Sequence, residues 1–345
     1  MAIHTTRRMF CTGLGAPLIL GATNKSGSHR PILGEGDHKY ECFHDWGELP
    51  ATIKYGNTHG VCEDSKGHIY IHHTVGADSE INDSMVVFDH KGKFVKSWGK
   101  EFKGGAHGLH IQKEGKEEFL YLCDTKRAVV VKATLNGEHV WDVGYPSESE
   151  AYKPGPDGKK KKYSPTNLTI APNGKIYVGD GYGSSYVNVY DSKGQYLSTF
   201  GGPGKEAGQL SCPHGITTDL RGAEPNITVA DRSNNRIQRF TLDGKHIDFV
   251  HGVNLPCYFD FYKNGDMVVP DLGARVTLMD RNNKVILNLG EDDSNTWKTL
   301  RKESRDHFKP GKFVCPHGAC FDHAGNIFVV EWVEVGRVTK LRKVS

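Results

Sequence analysis

The sequence lacks most of the features that would assign it quickly. Its 44 Lys and Arg are set against 41 Asp and Glu, a formal charge of +3. So small and dispersed an excess gives no electrostatic basis for nucleic-acid binding. The one basic run, Lys159 to Lys162, follows Lys153-Pro154-Gly155-Pro156-Asp157-Gly158 and reads as a solvated loop. No long amphipathic helix stands out. The apolar run Cys11 to Ala22 is too short for a membrane span. Cysteine is no guide either. With Cys11 set aside, the remaining seven form an odd set without CxxC spacing, so no disulfide framework follows.

What is present is glycine, at 41 residues, with short apolar stretches between tight turns. That composition predicts strands. The stretch Cys212 to Phe240 holds a Pro-His-Gly step, a strand over Gly215 to Thr218, a second over Ile227 to Ala230, an Asp-led turn and a third strand over Arg236 to Phe240. Its opening returns as Cys315-Pro316-His317-Gly318, and looser copies start near His59, His107, Asn167 and Tyr258, at steps of 44 to 60 residues. Six units of this length cannot each bury two faces alone, and radial packing satisfies all of them. The expected fold is an all-β, six-bladed propeller over residues 39–345. Its last unit lacks a strand, which Lys39 to Trp46 is placed to supply, so that the chain ends pair and no seam stays open. Two long connections, 145–164 and 291–312, are expected to wall one face.

Ahead of the repeats, Thr6-Arg7-Arg8-Met9-Phe10 and the apolar run resemble a twin-arginine export signal over residues 1–22, followed by a linker over 23–38. The expectation is a periplasmic or secreted protein with no membrane span.

In a propeller the innermost strands line the channel, so equivalent positions form a ring. The residue before each unit's glycine is such a position, and His59, His107, His214 and His317 occupy it. Units 2, 4 and 6 alternate around the ring, so His107, His214 and His317 are expected to converge as a three-imidazole metal site. His59 reads as a spare channel residue or a partner behind the ligands. Asp124, Asp180, Asp231 and Asp271 recur at strand ends and read as turn-forming.

The wording P-x-G-[IV], I-Y-V-x-D and N-x-R-I-Q-x-F resembles the NHL repeat family. Together with the three histidines, the Asp180-Gly181-Tyr182 turn and the run Val229 to Phe240, it is similar to the peptidyl-alpha-hydroxyglycine alpha-amidating lyases. The resemblance implies a divalent transition metal, zinc first, on His107, His214 and His317, a reactive Tyr182 and a channel-mouth Arg232. Arg236 belongs to the ordinary repeat. The implied reaction is carbon–nitrogen cleavage of an N-acyl alpha-hydroxyglycine, a peptide-derived or small-molecule substrate. Three departures accompany it. Gly318 replaces the family's calcium-binding aspartate, which argues against calcium. His73 stands where the family places a second active-site arginine. Gly183 replaces a disulfide cysteine. Two other readings stay open at the level of sequence: a non-catalytic NHL propeller that binds a protein or ligand on its loop face, and a metal-dependent lyase or hydrolase with another substrate.

Overall fold

Six of the strands are buried along their whole length: Ile69–His73, Met85–Phe88, Ile176–Gly179, Asn226–Asp231, Met267–Asp271 and Ile327–Glu331. A strand with one wet face alternates, so continuous burial requires cover on both sides. The computed structural model, which describes residues 30–293 and 295–344, provides that cover by packing six antiparallel sheets face to face around an axis. The expected export signal lies outside the described residues. Successive side chains of a strand point to opposite faces. Ile69 and Ile71 therefore enter the core shared by blades 6 and 1, and Tyr70 enters the one shared by blades 1 and 2. Each of the six blade junctions has its own apolar cluster.

The innermost strands are Thr58–Glu63, Ala106–Glu114, Asn167–Ile170, Pro213–Asp219, Asp260–Phe261 and Pro316–Phe321. Each is the edge of a sheet that runs outward in chain order. Blade 6 is completed from the other end of the chain, as expected. Tyr40–Phe43 pairs antiparallel with Arg337–Lys343, Tyr40 facing Lys343 and Phe43 facing Lys340. Ile32–Leu33, inside the stretch read as linker, adds a short fifth strand outside it. The closing strand also supplies core, because Tyr40 and Cys42 pack with Val268, Leu278 and Leu341.

Both long connections brace the same mouth of the channel. In 145–164, the Tyr152 hydroxyl donates to Asp180 Oδ2 at 2.6 Å and the Ser164 N–H donates to Asp180 Oδ1 at 2.7 Å, which fixes the turn leading to Tyr182. In 291–312, Trp297, Leu300 and Phe308 cover Cys257, Cys315 and Val333. Arg301 then reaches across to blade 1, donating to Asn57 Oδ1 at 3.0 Å with its guanidinium 3.6 Å over the Trp332 ring. No helix among the described residues is long and apolar enough to cross a membrane.

Ring closure should be measurable in the closing strand. Tyr40→Ala removes a fully buried aromatic, and large-to-small changes of this kind cost about 3–5 kcal/mol. Denaturant unfolding should show that loss, while Ile32→Ala, at an exposed site, should leave the midpoint within about 0.5 kcal/mol. Equal effects would mean the N-terminal strand does not close the ring energetically.

Candidate metal centre

Each of the three predicted ligands sits just before a glycine that lets its strand press against the next blade. A Cβ built on Gly108 would lie 2.5 Å from the Thr166 carbonyl oxygen, on Gly215 2.6 Å from that of Cys257, and on Gly318 2.5 Å from that of His59. Those same carbonyls receive the histidines. Nδ1–H donates from His107 to Thr166 O at 2.6 Å, from His214 to Cys257 O at 2.7 Å and from His317 to His59 O at 3.0 Å. For these three histidines the even-numbered blades present the imidazole and the odd-numbered blades hold it. The contact also explains Gly318, since the aspartate of the resembled family has no room there. Gly183 is constrained similarly: a Cβ would fall 2.0 Å from Asp180 Oδ1. All seven cysteines among the described residues are free.

With Nδ1 committed as a donor, each Nε2 carries a lone pair. The three rings lie with centroids 4.6 to 4.8 Å apart. Tyr182 Oη sits between two of them, 3.2 Å from His107 Nε2 and 3.1 Å from His214 Nε2. Its single proton can satisfy one of those lone pairs. The centre is therefore short of positive charge on the axis, which a divalent, nitrogen-preferring transition ion would supply. Burial holds His107 and His214 well below the ordinary imidazole range and pushes His317 down to about 3, so the ligands are neutral. Two donor sets bring all their atoms within 4.8 Å of one another, His59 with His107 and His317, and His214 with Cys257 and His317; the predicted set of His107, His214 and His317 is not one of them. The sequence, whose cysteines served only to exclude a disulfide framework, assigned Cys257 no role.

Arg232 and Arg236 have different surroundings. Arg236 Nε bonds Asp231 at 2.7 Å, the pairing the repeat also makes through Arg275 to Asp271 and Arg337 to Glu331. Arg232 turns inward instead, donating from Nη1 to Tyr182 Oη at 3.4 Å with its guanidinium over the tyrosine ring. Burial pushes the Tyr182 hydroxyl up to about 12, opposed by the Arg232 charge.

His73 lies apart from this group. Strand alternation sends it towards Tyr55, 4.9 Å away, while His72 turns the other way onto Phe102. Its Nδ1 accepts from the Val75 N–H at 3.1 Å, it joins no hydrogen bond or ring contact of the axial imidazoles, and burial pushes it down to about 3. A buried neutral imidazole facing away cannot do the work of an arginine, so the structure does not place His73 in the active-site role that sequence assigned to it.

A cavity of about 790 Å³ opens at the opposite mouth, among Cys62, His110, Thr217, Tyr258 and Asp260. None of the axial histidines lines it, so its size says nothing about the metal chemistry.

The fold and site together define a six-bladed β-propeller with an axial histidine centre. No family model matches the chain. Among curated relatives, it is 27% identical over 235 residues to rat (Rattus norvegicus) peptidylglycine alpha-amidating monooxygenase, covering 61% of this chain and 23% of the relative. It is 30% identical over 159 residues to Drosophila melanogaster peptidyl-alpha-hydroxyglycine alpha-amidating lyase 1, covering 43% and 27%. The matched stretches thus span about a quarter of those relatives' own length. Among solved structures, a streptogramin B lyase superposes with a TM-score of 0.57 over 90% of this chain and 99% of that one, at 14% identity, which is a likeness of fold alone.

Two outcomes test this description. Single His107→Ala, His214→Ala and His317→Ala variants should each drop transition-metal content from near one per chain to below about a tenth of that by elemental analysis, with the circular dichroism unchanged. Full metal in all three would remove the site. Separately, burial pushes Asp260 up to about 6 despite the Phe321 N–H it accepts at 2.9 Å. Because that value lies above the unfolded one of about 4, the ionised carboxylate costs stability above pH 6, and the cost disappears as pH falls. Asp260→Asn should be more stable than the parent at pH 8, on the order of 2 kcal/mol, with the gap shrinking as pH falls through about 6 and closing only at about pH 4 and below. A gap independent of pH would contradict the assignment.

Proposed function

We propose that this protein is a metal-dependent lyase that cleaves the carbon–nitrogen bond of an N-acyl alpha-hydroxyglycine-like substrate, releasing an amide and glyoxylate. The observation that carries the reading is the Tyr182 hydroxyl, held between His107 and His214 and within reach of Arg232. The names of the curated relatives point the same way.

A divalent transition ion, zinc first, held by His107, His214 and His317, would supply Lewis acidity that lowers the pKa of the substrate hydroxyl. The protein does the rest. Arg232 offers a fork of donors for the substrate carboxylate. Tyr182 is protonated at rest, so it acts as a relay: Oη accepts the hydroxyl proton as it gives its own up. The C–O bond becomes the carbonyl of glyoxylate, the C–N electron pair leaves with nitrogen, and the proton ends on the amide. The 145–164 connection keeps Tyr182 in place through Asp180 and through the Tyr182 N–H, which donates to Ser164 O at 3.3 Å. The twin-arginine pattern before the propeller motivates placing this activity outside the cytoplasm.

The test is glyoxylate release from an N-acyl alpha-hydroxyglycine by protein dialysed against chelator and then reloaded with zinc. Reloaded protein should turn over. Tyr182→Phe should lower kcat about 10²- to 10⁴-fold, the usual scale of a lost proton relay. Arg232→Ala should lower kcat/KM, whereas Arg236→Ala should act mainly on stability. Metal-loaded protein that releases no glyoxylate above the spontaneous rate would overturn the substrate assignment.

A further inference from the structure

His59 belongs to the same axial cluster as the three predicted ligands, yet it is held differently. The other three give Nδ1 to a neighbouring blade's carbonyl. His59 does not; its Nδ1 faces His317 Nε2 at 3.3 Å. Its ring centroid lies 4.6 Å from that of His107 and 4.4 Å from that of His317, and it is 7% exposed. The His59 backbone carbonyl meanwhile accepts the His317 Nδ1 proton, so one residue meets both nitrogens of His317.

The spacing is informative. A hydrogen bond from a ring N–H is usually about 2.9–3.0 Å long. Two nitrogens bound to one tetrahedral ion at about 2.0–2.1 Å each are separated by about 3.3 Å. The separation of His59 Nδ1 and His317 Nε2 matches the second distance, and His107 completes a set whose donor atoms all lie within 4.8 Å. The repeat does not demand a histidine here, because blades 3 and 5 carry Asn167 and Tyr258 at the same position.

We propose that His59 is a fourth ligand, binding through Nδ1, which makes the centre a four-imidazole site for a borderline divalent transition ion. The proposal rests on the metal centre read above. It assigns the His59–His317 edge to holding the ion; four imidazoles fill a tetrahedral shell, so the substrate hydroxyl would enter as a fifth ligand from the Tyr182 side, between His107 and His214. It also gives His317 a double constraint, since its orientation and its coordination partner both come from residue 59.

The experiment uses the full chain, emptied by chelator dialysis and titrated with cobalt(II), with affinity read by competition against a chromogenic chelator and geometry read from the visible absorption. Parent, His59→Ala and His59→Gln are compared, with His110→Ala at the far mouth as the control and circular dichroism confirming the fold. The expected result is one cobalt per chain in the parent and the control, affinity lower by at least about 10-fold in both His59 variants, and a changed ligand-field spectrum in both. Weaker binding with an unchanged spectrum would make His59 a prop for His317 and overturn the proposal, as would equal affinity and spectrum. Absence of bound cobalt in the parent would instead remove the metal centre itself, a separate failure.

Discussion

The centre depends on how closely neighbouring blades approach at three points. At Gly108, Gly215 and Gly318 the inner strand runs so near the next blade's backbone that any side chain would enter a carbonyl oxygen. The histidine before each glycine then reaches that carbonyl with Nδ1. One contact therefore sets blade spacing, ring orientation and tautomer together. The ligand positions are consequences of backbone packing, which is stiffer than side-chain packing because the six junction cores hold it from both faces. This also explains why the site has three-fold character within a six-fold ring. The imidazoles of His107, His214 and His317 each take a carbonyl of the next blade, whereas His59 on blade 1 has no such partner.

A second layer of contacts holds the entry to each inner strand. Asp180 accepts the Ser164 N–H, Asp231 the Ser211 N–H and Glu331 the Val314 N–H, in each case three residues ahead of the channel residue. The recurrent acid, which reads from sequence as a turn former, is thus a clamp between the end of one strand and the start of the previous one. Buried carboxylates of this kind hold position only while their remaining oxygens are paired. Arg236 provides that pairing for Asp231, Arg337 for Glu331 and the Tyr152 hydroxyl for Asp180.

Most of the fold was legible because its signals are local. Each unit carries its own glycine turns and apolar strands, and the missing strand of the last unit could be sought at the other chain end. The alternation of His107, His214 and His317 was legible for the same reason, as a count of units. What was not legible depends on the phase of side chains at irregular strand ends. Alternation alone turns His72 and His73 to opposite blades, but which of the two meets Tyr55 and which meets Phe102 depends on where the strand sits between its neighbours. No spacing in the sequence reports that placement. The orientation of His59 has a related cause: which of its nitrogens faces His317 depends on the neighbouring blade, which no spacing reports. Cys257 precedes a tyrosine where the other ligand positions hold histidine, so only the folded chain brings its thiol near His214 and His317.

If the proposed function holds, the charge arrangement would favour an anionic substrate over a neutral one. Arg236, Arg275 and Arg337 each have a carboxylate partner, as does Arg127 through Asp124. Among the described residues Arg232 has none; its hydrogen-bond partner is the Tyr182 hydroxyl. A guanidinium recessed beside neutral imidazoles, with a divalent ion added, leaves the mouth strongly cationic, and desolvating such a group without a counter-charge is costly. The tyrosine hydroxyl is too weak an acid, raised to about 12, to provide the charge at neutral pH. A bound carboxylate would. On the proposed function, selectivity for a carboxylate-bearing substrate would then follow from Arg232, because the neighbouring Asp231 is already taken by Arg236.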